Sequence, residues 1–285
     1  MRKSDVLIVK YQANSYFLKH IKANNKYQLY KIDKYKKICR YIDKYGFDKV
    51  PFSKWVKQIK NAKVIVFFDT FLCDRAINIV KEINADAKVY IYFWNKINDN
   101  NKLWLENEVV DDIYTFDQED SNIFNIKYNT QFYSKNIKIK SKKCKYDVCF
   151  LGREKGRKKE IGKIKKIFDD LNLKTDIRII EKESDFISYD KYLKMIENSK
   201  CILDMVANNQ KGASLRVMES IFLKKKLITN NKNVANYDFY NKNNIFIIGI
   251  DNFDNFFDFL NSEYVDIDSK IIDYYDYENW VERFK

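Results

Sequence analysis

Short apolar runs alternate with amphipathic segments along this chain of 285 residues. Runs such as 6–9 and 64–68 have the length of buried β-strands. Between the runs, apolar residues recur at helical spacing, as at Ile161, Ile164 and Phe168. This alternation predicts an α/β fold whose parallel sheets are covered by helices on both faces. Further strands are predicted at 89–94, 113–116, 147–151, 201–205, 227–229 and 245–248, and helices near 53–59, 74–83, 189–198 and 253–260.

The segment 211–231 combines a turn, a helix and a buried strand with polar residues in chemically useful places. Gly212 permits a tight turn, and Ser214 is a good helix N-cap. Arg216 and Glu219 are three residues apart, which predicts that they share the polar face of the helix near its anion-attracting N-terminus. Such a helix can hold a phosphate and a diol together. The alternative is an ordinary surface helix with a chance ion pair.

A second phosphate-binding pattern follows the predicted strand at 147–151. Gly152, Arg153 and Arg157 lie in a basic loop before an amphipathic helix, and glycine lets a ligand approach the backbone while arginine supplies a planar fork of donors. The loop lacks the G-x-G-x-x-G fingerprint and the P-loop motif, so neither a dehydrogenase nor an NTPase is indicated. A solvated basic turn is the alternative interpretation.

These two segments resemble the C-terminal, nucleotide-sugar-binding half of GT-B glycosyltransferases, particularly bacterial polysaccharide and lipopolysaccharide enzymes and the CgeB-like group. The resemblance covers mainly residues 147–248. It implies two Rossmann-like domains facing across a cleft, with a C-terminal helix that returns to the N-terminal domain. We therefore expect an acceptor-side domain at 1–140, a nucleotide-sugar-binding domain at 141–262 and a tail at 263–285 that packs back on the first domain.

The same resemblance implies the donor-binding residues. Glu219 would bind the ribose hydroxyls of the donor, and Arg216 would lie beside its phosphates. Asp204 ends a strand that faces the donor cleft in similar enzymes, although it could equally cap neighbouring N–H groups. Lys211 stands where many retaining members of glycosyltransferase family 4 have a second glutamate, so retention of configuration is not implied. The implied set is Gly152, Arg153, Arg157, Asp204, Gly212, Ala213, Ser214, Arg216 and Glu219.

Catalysis without a metal requires neutralisation of the leaving diphosphate and, in an inverting enzyme, a base for the acceptor hydroxyl. Arg153 and Arg216 suit the first task, together with Arg157. Asp69 is the favoured base, because it follows an apolar strand and burial there would raise its pKa. A cap on the next helix is the alternative role for this residue. The other candidates are Asp74 and His20 as bases and Asn95 as a sugar contact.

The formal net charge of +13 suggests an anionic partner, and the densest lysine run lies at 135–145. Nucleic-acid binding would require arginine-rich, aromatic-interleaved elements or a reader motif, and neither is evident, so no nucleic-acid partner is expected. A lysine-rich surface would instead favour peripheral contact with an anionic membrane that presents a glycan or lipid-linked acceptor.

The expected location and the expected lack of a metal site follow from motifs that the sequence does not contain. No apolar run reaches the ~20 residues of a membrane span, and the first residues lead into a strand instead of an export signal. The five cysteines show no C-x-x-C spacing, which favours a cytoplasmic location, including the inner face of the cytoplasmic membrane. His20 is the only histidine, and the D-x-D at Asp266 and Asp268 lies in a polar stretch, so no metal site is expected.

The sequence therefore predicts a metal-independent, hexosyltransferase-like glycosyltransferase with no cofactor. It would move a sugar from a nucleotide-sugar donor, a UDP- or GDP-sugar, to a cell-surface polysaccharide or lipopolysaccharide acceptor. A GT-B-fold sugar-nucleotide epimerase and a basic nucleic-acid-binding protein are the alternatives. Because Glu219 is predicted on a polar face, Glu219→Ala should weaken donor binding and leave the fold intact.

Overall fold

The structure is a computed structural model. It describes residues 5–10, 15–21, 27–31, 44, 54–69, 74–140, 143–206 and 210–285. The chain divides into two compact units, one formed by Met1–Thr130 with Tyr277–Lys285 and the other by Gln131–Asp276. This division differs from the expected boundaries at 140 and 263. The backbone N–H of Tyr133 donates to the carbonyl of Tyr275, so both of those flanking stretches are held within the second unit.

The first unit contains a six-stranded sheet whose strands are all parallel, in the order β2-β1-β3-β4-β5-β6. Its strands are β1 (Val6–Lys10), β2 (Tyr27–Lys31), β3 (Val64–Phe68), β4 (Lys88–Phe93), β5 (Asp112–Thr115) and β6 (Lys127–Tyr128). Its α-helices are Ser15–Leu18, Lys54–Asn61, Asp74–Ile83, Gln118–Phe124 and Tyr277–Glu282, with a 3-10 helix at Lys102–Glu106.

The core of this unit forms where the helices cover the sheet. Strand β3 is buried along its whole length, and Ile59 and Ile77 pack against it from two helices. The last helix contributes Trp280, which is fully buried and lies with its ring centroid 4.9 Å from that of Tyr92. Aromatic burial of this size is a major stabilising contribution, so the final residues belong to the core of this unit.

The second unit contains a five-stranded parallel sheet in the order β11-β10-β9-β7-β8. Its strands are β7 (Tyr146–Arg153), β8 (Thr175–Ile180), β9 (Ser199–Asp204), β10 (Lys226–Thr229) and β11 (Ile245–Ile247). Its α-helices are Lys158–Asp170, Tyr189–Glu197, Leu215–Phe222, Phe256–Asn261 and Ser269–Tyr275, and its 3-10 helices are Glu183–Asp185, Lys232–Asn236 and Phe253–Asn255.

Both sheets have the connectivity of Rossmann-like α/β folds. In each of them the second strand lies on one side of the first, and the third and later strands lie on the other side. The chain therefore reverses its direction of progress at a switch point, between β1 and β3 in one unit and between β7 and β9 in the other. The α/β class predicted from the alternating pattern is confirmed. In the described ranges, no helix is long and apolar enough to cross a membrane.

Local signals account for several element boundaries. The side chain of Ser188 accepts the N–H of Lys191, and that of Ser214 accepts the N–H of Val217, so both predicted N-caps are present. Strand β8 was not predicted. It is only half buried at the edge of the sheet, and its residues TDIRII lack the continuous apolar run of the central strands.

Candidate functional site

The switch point of the second sheet gathers several of the residues singled out in the sequence. Arg153 ends β7, Asp204 ends β9 and Thr229 ends β10. Asp204 and Thr229 are directly paired across neighbouring strands. Because open α/β sheets bind ligands outside the carboxyl ends of their strands at the switch point, this edge is the candidate functional site.

Asp204 is the buried centre of this site. Its side chain is inaccessible to solvent, and its carboxylate accepts hydrogen bonds from Ser214 Oγ at 2.8 Å, Arg216 Nε at 3.0 Å and Thr229 Oγ1 at 3.0 Å. A buried carboxylate is costly unless it is paired and hydrogen-bonded, and here it is both. Asp204 therefore ties β9 to β10 and to the start of the helix Leu215–Phe222.

Arg216 extends from that helix back to the sheet. Besides its ion pair with Asp204, it donates Nη1 to the carbonyl of Leu151 at 3.3 Å, and its guanidinium carbon lies 5.2 Å from the ring centroid of Phe150. Burial is the largest single influence and opposes the positive charge, but Asp204, Tyr192 and Glu219 together outweigh it and the pKa of Arg216 is raised. The guanidinium is thus held at the carboxyl end of β7.

Arg157 brings a second guanidinium to the same ring. Its carbon lies 5.4 Å from the ring centroid of Phe150, and its nitrogens donate to the carbonyl oxygens of Arg153 and Met205. Burial, and then the positive charge of Arg216, lower the pKa of Arg157 to about 10. Two partly buried cations therefore lie close enough to repel each other.

Gly152 makes this close approach possible. A Cβ atom at this position would lie 2.7 Å from Nη2 of Arg157 and 3.3 Å from Nη1 of Arg216. It would also lie 2.9 Å from the ring of Phe150. A larger residue would therefore displace one of the two guanidinium groups. The sequence predicted a glycine that admits a ligand to the backbone, whereas in the structure it admits two arginines.

The turn 212–214 borders the cluster through Ser214, and its expected role beside the donor phosphates stays a prediction. Ser214 caps the helix and contacts Asp204, the N–H of Ala213 donates to the hydroxyl of Tyr237 at 3.0 Å, and the carbonyl of Gly212 accepts from Asn231 Nδ2 at 3.3 Å. The turn is thus held to the loop after β10, which fixes the direction of the helix N-terminus.

Glu219 contradicts the prediction of an exposed polar face. Its side chain is fully buried and accepts the hydroxyl of Tyr189 at 2.8 Å and that of Tyr192 at 3.1 Å. Tyr133 in turn donates to Tyr189 at 2.5 Å. Burial raises the pKa of Glu219 to about 7. The prediction of an intact fold in Glu219→Ala is therefore revised, because that change would leave two buried hydroxyls without their acceptor.

Arg153 lies apart from the other two arginines. Its side chain is 57% exposed, with Nη2 3.7 Å from a carboxylate oxygen of Glu183 and the guanidinium 4.5 Å from the ring centroid of Phe186. Only its backbone carbonyl, which accepts from Arg157, takes part in the cluster. Its expected catalytic role stays a prediction.

Asp69 lies at the switch point of the first sheet, after β3. It is buried, and its carboxylate accepts the N–H groups of Trp94 and Asn95 and the side-chain amides of Asn95 and Asn101, at 3.1 to 3.3 Å. Burial raises its pKa, while these hydrogen bonds partly oppose the rise. Asp69 thus fastens the loop that follows β4, and its side chain does not cap the next helix as the alternative supposed.

The remaining candidates of the first unit are Asp74, His20 and Asn95. Asp74 begins the helix Asp74–Ile83, and His20 lies in the turn after the helix Ser15–Leu18. Asn95 is committed to Asp69 through both its backbone and its side chain. Nothing in these positions singles out one of them for chemistry.

Sequence reasoning missed four residues that build the second site. Phe150 supplies the ring beneath the arginines, Thr229 supports Asp204, and Tyr189 and Tyr192 hold Glu219. Only Thr229 had a readable signal, since a hydroxyl at a strand end opposite a buried acid suggests a hydrogen bond. Across the residues that the structure describes, no cluster of histidine, cysteine or carboxylate side chains could hold a metal ion.

Comparison with known proteins leaves the function open. No family model matches the sequence, and no curated protein matches it. Among solved structures, the chain is similar to the NAD+-bound 3-phosphoglycerate dehydrogenase of Entamoeba histolytica, with 13% identity, coverage of 87% of each chain and a TM-score of 0.23. A likeness this weak supports no assignment, so the fold class rests on the two strand orders themselves.

Proposed function

We propose that this chain is a metal-independent glycosyltransferase of the GT-B type. In this proposal the unit Gln131–Asp276 binds the diphosphate of a nucleotide sugar, a UDP- or GDP-sugar, at the switch point of its sheet. The sugar passes to a glycan acceptor of cell-surface polysaccharide or lipopolysaccharide synthesis. The two Rossmann-like sheets and the resemblance of residues 147–248 support this class.

The observation that carries the proposal is the pair of guanidinium groups over Phe150. Arg216 pairs directly with the carboxylate of Asp204, whereas Arg157 donates to carbonyl oxygens. The two guanidinium groups thus have one directly bonded carboxylate between them, while Glu219 and Glu154 act on them at longer range. Burial, and then the positive charge of Arg216, lower the pKa of Arg157. A diphosphate would relieve the repulsion, and each guanidinium offers the planar fork of donors that phosphate oxygens accept.

The same pair suits the chemistry of glycosyl transfer. Negative charge grows on the leaving diphosphate as the glycosidic bond breaks, and preorganised cations stabilise that charge without further reorganisation. Ser214 adds a helix N-terminus beside Asp204, and free N–H groups there also favour anions. Arginine and backbone donors thus supply in this proposal the charge stabilisation that a metal supplies in other transferases.

Glu219 enters the proposal in a changed role. Two tyrosine hydroxyls already donate to its carboxylate oxygens, in the way that a ribose diol would. A ribose could reach Glu219 only by replacing the hydroxyls of Tyr189 and Tyr192. We therefore assign recognition of the diphosphate, and not of the ribose, to the described site.

Asp69 is the candidate base of this proposal, with opposing influences on its basicity. Its raised pKa suits a proton acceptor. Its four N–H donors, however, stabilise the charged form and already occupy both carboxylate oxygens. Three of the donors point to Oδ2, whereas Oδ1 accepts the N–H of Trp94 and keeps a second lone pair, so Oδ1 is the oxygen that would take the proton.

The test is calorimetric titration of UDP, GDP, CDP and CMP without metal, on the wild-type chain and on Arg157→Gln. Charge-assisted hydrogen bonds contribute about 1.5 to 3 kcal/mol, so the variant should bind its preferred diphosphate roughly 10- to 150-fold more weakly. Arg178→Gln is the matched control. Arg178 lies on β8 with its side chain 52% exposed and pairs with Asp176, so its loss should leave affinity unchanged.

Melting temperatures of both variants show whether the fold is intact. Equal affinity in wild type and Arg157→Gln, with the fold intact, would remove the arginine pair from the proposed site. Conversion of a sugar nucleotide in the absence of any acceptor would favour the epimerase alternative over transfer.

A further inference from the structure

A second basic region lies at the amino-terminal edge of the second sheet. Lys138 and Lys140 come before β7, and Lys224 and Lys225 come directly before β10. Although more than eighty residues separate the two pairs in sequence, all four lysines line one pocket of about 360 Å³. We call this region the basic pocket. Its lysines come from the run at 135–145 noted in the sequence and from a second run at 224–226, and folding brings the two runs together.

Positive charge is in excess in the basic pocket. Lys138, Lys140 and Lys224 are exposed. Asp266 pairs with Lys224 at 2.6 Å, and Glu197 is buried beneath the rim, where its Oε1 accepts the backbone N–H of Lys140 at 2.9 Å. In the part of the chain that the structure describes, four lysines thus face these two carboxylates, so the pocket is suited to an anion.

The lining is not purely polar. Ile139 and Phe222 lie between the lysines, and both are partly exposed. Lysine stems also present methylene groups beside such surfaces while the ammonium groups reach towards solvent. Exposed lysines beside partly exposed apolar side chains match the boundary of an anionic membrane, where phosphate groups lie next to hydrocarbon.

We propose that the basic pocket docks this protein on membranes by binding anionic phospholipid headgroups. The pocket opens where the strands begin, whereas the arginine pair lies where the strands end. Within this unit, docking therefore leaves the candidate functional site accessible. The proposal does not rest on the transferase assignment, because it concerns a different edge of the sheet and is tested without nucleotide.

The experiment compares two triple variants of the full chain in vesicle sedimentation. One is Lys138→Gln with Lys140→Gln and Lys224→Gln. The other is the matched control, Lys159→Gln with Lys163→Gln and Lys166→Gln, three exposed lysines of the helix Lys158–Asp170. Each variant removes three positive charges from the formal +13. Lys225 is left in place, because its Nζ donates to the carbonyl of Ser199 and supports the fold.

Vesicles of phosphatidylcholine with phosphatidylglycerol should bind the wild-type chain, and phosphatidylcholine alone should not. Each lysine close to an anionic surface contributes about five-fold in affinity, so the pocket variant should bind about 100-fold more weakly. The control variant should stay within about five-fold of wild type, since its lysines lie outside the pocket. Circular-dichroism melting of all three chains verifies folding.

Three results would overturn the proposal. Equal losses in the two variants would mean that total charge, and not the pocket, drives binding. Full competition by inorganic phosphate, at the phosphate concentration that the lipid presents, would identify a soluble ligand. Competition by an oligonucleotide that is itself lost in the pocket variant would identify a nucleic-acid surface.

Discussion

The two sheets each bury an aspartate at the switch point, and the two aspartates have different partners. Asp69 accepts four neutral N–H donors from the loop after β4. Asp204 accepts two hydroxyls and the guanidinium of Arg216. The first carboxylate fastens a loop, whereas the second assembles a charged cluster. An aspartate at the end of a buried strand therefore indicates the switch point of the sheet. The groups that bond to its carboxylate decide whether it fastens a loop or assembles a charged cluster.

The surroundings of Asp69 and Asp204 also differ in charge. The four described amide donors to Asp69 are neutral and are engaged by its carboxylate, so they add no positive charge there. Around Asp204, a second cation, Arg157, lies over the same aromatic ring as Arg216. The proposed function relies on this pair of cations for binding of a diphosphate at the second sheet.

The largest expected effect is on Asp204. Removing one partner of a buried ion pair costs about 3 to 5 kcal/mol, so Asp204→Asn should lower the free energy of unfolding by that amount. Urea denaturation measures it. The control is Asp169→Asn, which breaks the exposed pair with Lys165 and should cost no more than about 1 kcal/mol. Similar losses in the two variants would show that Asp204 is no more important than a surface pair.

Glu219 is another buried carboxylate, and its contribution to the free energy of unfolding should depend on pH, which allows it to be compared with Asp69 and Asp204. Burial raises its pKa from 4.5 to about 7, so between those values the native state keeps a proton that the unfolded chain has lost. Its contribution to stability is therefore present at low pH and is lost as the pH rises to about 7. This pKa shift corresponds to about 3 kcal/mol of pH-dependent stability. Glu219→Gln should abolish that pH dependence, because glutamine does not titrate.

The measurement is the free energy of unfolding at pH 5 and pH 8. The advantage of wild type over Glu219→Gln should shrink by up to about 3 kcal/mol between the two pH values. Glu160→Gln, at an exposed helix position, is the control and should differ from wild type by the same small amount at both. A constant advantage for Glu219 would place its titration outside this window.

The smallest of the three effects is expected for Asp69. Asparagine retains one carbonyl oxygen but replaces the other acceptor with a donor, so part of the loop loses its partner at a cost of about 1 to 3 kcal/mol. Hydrogen exchange should show faster exchange at the N–H groups of Trp94 and Asn95, which Asp69 now protects. Asp86→Asn, at an exposed position, should change neither quantity. Unchanged exchange in Asp69→Asn would contradict the fastening role.

Much of the fold was predictable because its elements have strong periodicity. The strand Val64–Phe68 and the helix Asp74–Ile83 have the predicted bounds, and the N-caps at Ser188 and Ser214 are present. Strands β2, β6 and β8 were missed, since YQLYK and TDIRII mix polar and apolar residues and β6 has only two residues. Such strands are recognised by pairing with a neighbour, which a local pattern does not reveal.

The site was predictable in its positions and less so in its orientations. The carboxyl ends of parallel strands meet at one edge, so Gly152, Asp204 and the turn before Arg216 were expected near one another. The spacing of Arg216 and Glu219 predicted a shared face but not which neighbours cover it. The helix Tyr189–Glu197 supplies two hydroxyls that donate to Glu219 and so offset the cost of burying it. A local sequence pattern does not predict these contacts.

From the sequence alone follow the α/β class, most strands and helices, and the turns that follow Gly152 and precede Ser214. These follow from local periodicity and from the limited conformations of each residue type. The folded chain was needed to show that Arg157 and Arg216 lie over one ring, that Glu219 is buried and that two lysine runs line one pocket. The physical reason is that burial and charge balance depend on segments far apart in the chain, which only folding brings together.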